Sequence, residues 1–206
     1  MKPVRLATVC ACTLGFVLGS AGAAPSPEAV AHSAHHASVR GDDVQRTIVD
    51  IQVPDVSLVR DDGKPVSLAA ELADVRPVYI DFVYTTCTAI CPITSATFAA
   101  MQDKLGARSD KVHLMSISID PEEDTPRRLT AFRRAFGAGP EWRHYTGTML
   151  ASVEAQRAFG VYAGDKMGHT PVTLFREAPG KPWVRIDGFA SPDQLLVEMQ
   201  RNEERK

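Results

Sequence analysis

Residues 77–84, Pro-Val-Tyr-Ile-Asp-Phe-Val-Tyr, are apolar at every position but one. A run this short and this hydrophobic predicts a buried strand. Residues 112–119, Val-His-Leu-Met-Ser-Ile-Ser-Ile, predict a second central strand ending at Asp120-Pro121. Between them, Phe98, Met101 and Leu105 mark a helix over residues 93–105. Shorter apolar segments at 48–53, 56–59 and 65–68 read as strands, the last two joined by the turn Asp61-Asp62-Gly63-Lys64. Thr125 caps a helix with Pro126 in its first position, Leu129, Phe132 and Phe136 inward, and Gly137 at its end. Residues 142–145 predict a strand and 150–159 a helix that stops at Gly160. Residues 172–175 and 184–187 predict a hairpin across Pro179-Gly180-Lys181, and Ser191-Pro192 opens a last helix to Met199. There are no internal repeats. Strands alternating with helices, followed by a hairpin and a helix, predict a three-layer α/β fold.

The chain before residue 47 has a different character. Lys2 and Arg5, an apolar stretch over 6–18 and Ala21-Gly22-Ala23 read as a secretory signal peptide spanning residues 1–24. The alternative is an uncleaved anchor, although a membrane span needs roughly 20 apolar residues. Cys10 and Cys12 lie in the leader and leave with it. Residues 25–46, rich in Ala, Ser, His and Pro, predict a flexible linker. Its His32, His35 and His36 are either incidental or a loose metal-collecting tract. Residues 47–206 are long enough for one domain with its own core. Without Lys2 and Arg5 the chain carries 21 basic against 25 acidic residues, a formal charge of −4 with the signs interspersed. No basic face marks a nucleic-acid partner. The leader places the domain in the periplasm, where disulfides persist.

Once the leader is gone, Cys87 and Cys91 are the only cysteines. They sit at the turn between the first central strand and its helix, where α/β sheets place active sites. A helix N-terminus favours thiolate over thiol, and the i,i+4 spacing lets both sulfurs face one point. Such a pair closes a disulfide or holds a soft metal. A purely structural bridge across so small a loop would constrain little of the unfolded chain.

This order of elements resembles the thioredoxin fold, and three segments narrow it to the Sco/SenC family of copper-handling proteins. Phe82-Val83-Tyr84-Thr85-Thr86-Cys87-Thr88-Ala89-Ile90-Cys91-Pro92 is similar to the family's aromatic strand and C-x-x-x-C-P turn. Ser118 to Pro126 carries D-P-x-x-D-T-P, and Gly168-His169-Thr170 falls where the family has a distal histidine. The resemblance covers residues 53–201 and implies a thioredoxin-like domain: a central mixed sheet flanked by helices, with an N-terminal hairpin extension. It implies a periplasmic copper metallochaperone for the copper centre of cytochrome c oxidase, with an oxidase subunit or another copper-site protein as recipient and a thiol reductant as partner. An uncleaved leader would tie it to the membrane. Thr88 replaces the family's usual proline, and Gly168-His169-Thr170-Pro171 replaces Asp-His-Ser. Thr170-Pro171 before a strand is instead what thioredoxin-like oxidoreductases carry, with a cis proline beside the disulfide.

Two thiolates and an imidazole make a soft three-ligand set that suits copper, as Cu(I) or, with an added ligand, Cu(II). Structural zinc wants four ligands. The metal set is therefore Cys87, Cys91 and His169, and the cysteines double as a redox pair. Oxidation of that pair excludes copper, so loading and disulfide formation are alternatives. The competing readings are a thiol–disulfide oxidoreductase, with Cys87 attacking, Cys91 resolving and Pro171 as the substrate-side wall, and a redox sensor. His113 and His144 read as packing or surface residues, and Met101 as core. Asp124 or Thr125 reads as the cap of the following helix. Asp81 reads as a buried carboxyl that needs a partner or trades protons with the thiols. Met167 is a further candidate soft ligand.

Overall fold

The computed structural model describes residues 44–203. The leader and all of the linker but its last three residues lie outside them, and with them Cys10, Cys12, His32, His35 and His36.

The chain forms β1 (Gln45–Val49), β2 (Ser57–Arg60), β3 (Pro65–Ser67), α1 (Leu68–Glu71), β4 (Val78–Val83) and α2 (Ile90–Leu105). There follow β5 (His113–Ser118), α3 (Pro126–Ala135), β6 (Trp142–Gly147), α4 (Met149–Ala158), β7 (Val172–Arg176), β8 (Trp183–Asp187) and α5 (Pro192–Glu203). All eight strands join one sheet in the order β1-β8-β7-β4-β5-β6-β2-β3. The middle strands β4, β5 and β6 are parallel, as the intervening helices require, and the others are antiparallel. The sheet is thus mixed and α/β, as expected. Every residue of β4 and of β5 is buried, which is why both read as largely apolar runs, broken only by Asp81 in β4 and by His113, Ser116 and Ser118 in β5.

The period of two along β4 sorts its side chains between two cores. Val78, Ile80 and Phe82 pack with Met115, Ile117 and the α4 residues Ala151 and Ala155. Tyr79 faces the other way, with Leu114, Trp142, the α2 residues Phe98, Met101 and Leu105, and Leu195 of α5. Asp81 alternates onto this second face, toward α2.

The N-terminal segments divide between the two sheet edges. β2 and β3 form the expected hairpin, closed at Gly63, whose φ of 83° suits glycine. β1 instead pairs with β8 on the far edge. The strand expected over 48–53 therefore ends at Val49. Ile51 and Val53 leave the ladder and lie against the first core as the chain passes between edges. β1 also takes in two residues, Gln45 and Arg46, assigned to the linker, because its partner strand extends that far. The hairpin is pinned by Asp61, which is buried, ion-paired to Arg133 and Arg143, and accepts the His144 N–H at 3.1 Å.

Candidate functional site

The site lies at the carboxyl end of β4. α2 begins at Ile90, so Cys91 is inside the helix rather than ahead of it. Ala89 in the cap position offers no side-chain acceptor. The Cys87 sulfur supplies one, accepting the Cys91 N–H at 3.4 Å, so a helix end that would otherwise leave its amides open closes on a thiol. Cys91 in turn accepts the Tyr84 N–H at 3.5 Å. Both thiols are free.

The two thiols differ in acidity. Burial opposes ionisation of Cys87, but the Cys91 and Ala89 amides, with the Cys91 and Tyr84 side chains, outweigh it and hold the thiol below its ordinary range. Cys91 is 0% exposed against 8% for Cys87. Burial pushes the Cys91 thiol far up, the Tyr84 amide only partly offsets this, and Cys87 and Asp81 add to the rise. The outer sulfur is therefore the more acidic thiol and the readier nucleophile, while the inner one holds its proton.

Asp124 fixes this turn. Fully buried, it accepts the Thr85 N–H at 3.1 Å, the Thr85 hydroxyl at 2.5 Å and the Ser118 hydroxyl at 2.6 Å. It does not cap the next helix; Thr125 does, accepting the Arg128 N–H. The D-P-x-x-D-T-P segment thereby braces the cysteine turn through Asp124 and starts α3 through Thr125. Asp120 holds the loop before β7 through an ion pair with Lys166 at 2.6 Å.

His169 ends the 3-10 turn Lys166–Gly168 and is 6% exposed. Burial lowers its pKa while the Phe82 backbone carbonyl, which its ring faces, raises it; burial prevails. The ring is thus neutral with a free lone pair near pH 7. β7 pairs antiparallel with β4, which carries this segment past the cysteine end of β4. The structure brings Cys87 and Cys91 together and places His169 beside β4. Among the described residues, no group of three or more His, Cys, Asp or Glu is gathered closely enough to hold a metal ion. The dithiol is preformed; the three-ligand set is not. No cis peptide bond occurs among the described residues, so Thr170-Pro171 is trans.

Asp81 is 1% exposed, and neither of its carboxyl oxygens finds a hydrogen-bond partner. Burial, opposed by the nearby Ser116 and Thr94 hydroxyls, raises it to about 7. Thr94 commits its proton to the Cys91 carbonyl at 3.2 Å, while Ser116 accepts the Trp142 indole N–H at 2.9 Å. His113 and His144 are buried away from the thiols, His113 against the Tyr145 hydroxyl and His144 against Phe132 and Trp142. The sequence did not show Asp124 as a brace, the Lys166–Asp120 tie, or the contact of Met167 with Tyr84. Each joins residues tens of positions apart that carry no local pattern of their own.

A thioredoxin-like sheet with an asymmetric dithiol at the head of its first core helix defines a class of thiol proteins. The SCO1/SenC family model matches residues 49–201, about three quarters of the chain, and the protein belongs to that family. An SCO1 protein homolog of Bacillus subtilis (strain 168) is 32% identical over 107 residues, 52% of this chain and 54% of the relative. The matched stretch therefore spans about half the length of that relative. A crystal structure of Arabidopsis thaliana ScoI with copper bound superposes with a TM-score of 0.60 at 26% identity, covering 73% of this chain and 98% of that one. A structure of BsSco, described as having a disulfide switch and belonging to the Sco family of cytochrome c oxidase assembly proteins, gives 0.64 at 25% identity, covering 78% and 98%.

Proposed function

We propose that this protein is a periplasmic copper carrier, with Cys87, Cys91 and His169 as ligands and a cytochrome oxidase copper site as destination. The observation that carries the reading is the free thiol pair at the head of α2, with one sulfur already inclined to ionise. Copper bound in a related Sco structure supports the choice of cargo. Two sulfurs and one nitrogen suit copper better than zinc, which would want a fourth ligand. Copper replaces the thiol protons, so binding weakens as pH falls. His169 joins by turning its ring from the Phe82 carbonyl toward the sulfurs, its burial having kept it unprotonated.

The test is an anaerobic Cu(I) titration of the reduced protein against a competing chelator. Wild type should bind one equivalent, and His169→Ala should weaken binding at least about tenfold, or ~1.4 kcal/mol. Equal affinity in the variant would remove His169 from the site. No binding by wild type would refute the carrier reading.

The unlike acidities of Cys87 and Cys91 favour a second reading, thiol–disulfide exchange. The Cys87 thiolate attacks a substrate disulfide and releases one thiolate. Cys91 then loses its proton and attacks Cys87, releasing the second; the pair ends oxidised and the substrate reduced, and an external thiol must reset it. The disulfide switch described for BsSco supports this reading as well. Exchange should survive His169→Ala and vanish in Cys87→Ser, whereas copper binding weakens in both variants.

A further inference from the structure

Met167 lies on the 3-10 turn between α4 and β7. That turn is tied at three points. Lys166 pairs with Asp120 at 2.6 Å, the Asp165 carboxylate accepts the Met167 N–H at 2.9 Å, and the Asp165 carbonyl accepts the Gly168 N–H at 3.0 Å. The side chain is nonetheless 75% exposed. A lone exposed apolar residue needs no explanation. This one differs in what its sulfur touches, the Tyr84 hydroxyl, 3.9 Å from Sδ. Tyr84 in turn belongs to the same buried cluster as Cys87. The thioether thus touches the phenol, and the phenol packs in one cluster with the outer cysteine.

Resting on the carrier reading, we propose that Met167 is the outer ligand on the route of Cu(I) to and from Cys87. A thioether is soft and neutral and does not have to lose a proton, so it takes Cu(I) where a thiol must first ionise. The ion arrives on Met167 Sδ and moves to Cys87 by ligand exchange, without change of oxidation state. Any proton still on the Cys87 thiol passes to solvent, and delivery reverses the order. The ion pair to Asp120 keeps the thioether at the rim of the site, and Tyr84 spaces it from the thiol.

The test uses the reduced full-length chain labelled with ¹³C at the methionine methyls, with Cu(I) alone supplied as its acetonitrile complex. The Met167 methyl should shift with the first additions, while the buried Met101 and Met115 and the exposed Met149 serve as internal controls. In Met167→Leu, which keeps the shape and removes the sulfur, uptake from a chelator should slow roughly tenfold while equilibrium affinity stays within about threefold. A Met167 methyl that does not move while thiolate-to-copper absorption develops, or unchanged uptake in Met167→Leu, would overturn the proposal and leave the carrier reading standing. If no such absorption develops in wild type, the carrier reading fails and takes this one with it.

Discussion

Cys87 and Cys91 share one turn and behave as different acids, because backbone amides reach the outer sulfur while burial dominates the inner one. Iodoacetamide should therefore modify Cys87 in the reduced protein and spare Cys91, with labelling of Cys87 developing below the pH usual for a thiol. Equal labelling of both, read by peptide mass spectrometry, would contradict the asymmetry. His169 was singled out only by its resemblance to the family's distal histidine, whereas the pair could be read in the sequence from residue type, spacing and the strand before the turn. Asp124 could not, because a carboxylate just before a helix has an equally good local use as its cap. Only the fold brings Thr85 to it, 39 positions back along the chain. Asp124→Asn turns an amide toward donors that need an acceptor. It should cost about 1–3 kcal/mol in urea unfolding and, if the brace is real, also change the rate of Cys87 alkylation. Loss of stability with an unaltered alkylation rate would make Asp124 structural only.

At the scale of elements, β4 announces itself as a buried strand yet carries a carboxyl. Asp81 titrates at about 7 in the fold against 3.8 ordinarily, so the folded state holds this proton more tightly than the unfolded chain. Its contribution is fully present below about pH 4 and is lost as pH rises through 7. Asp81→Asn should flatten that slope and exceed wild type in stability above pH 7 by on the order of 2–4 kcal/mol. Parallel pH profiles of the urea midpoint for the two proteins would rule this out. The β2–β3 hairpin depends on one residue in its turn. Asp61→Ala removes the buried carboxylate shared by Arg133 and Arg143, leaving Arg143 only Asp62 and Arg133 only backbone carbonyls, and should cost roughly 3 kcal/mol or more. A loss under 1 kcal/mol would show the pairing to be replaceable by water. Helix and strand types were legible because apolar periodicity is a local property. The end of β1 was not, because residues 50–56 remain apolar in part while crossing between sheet edges.

At the scale of the molecule, the carboxyl end of the parallel strands gathers the chemistry. β4 delivers the thiols, the loop after β5 braces them through Asp124 and tethers Lys166 through Asp120, and the segment entering β7 brings Met167 and His169. The sequence indicated the alternation that makes this sheet and, through three short segments, the family. It did not show that the thiols are ready while His169 faces the Phe82 carbonyl, since that depends on how β7 lies against β4. The central claim is that separate strand ends close on one ion. X-ray absorption at the copper edge of the singly loaded, reduced protein tests it most directly. The account predicts two sulfur neighbours and one nitrogen neighbour per copper, with the nitrogen lost in His169→Ala. Two sulfurs and no nitrogen in wild type, or a nitrogen that persists in the variant, would contradict it.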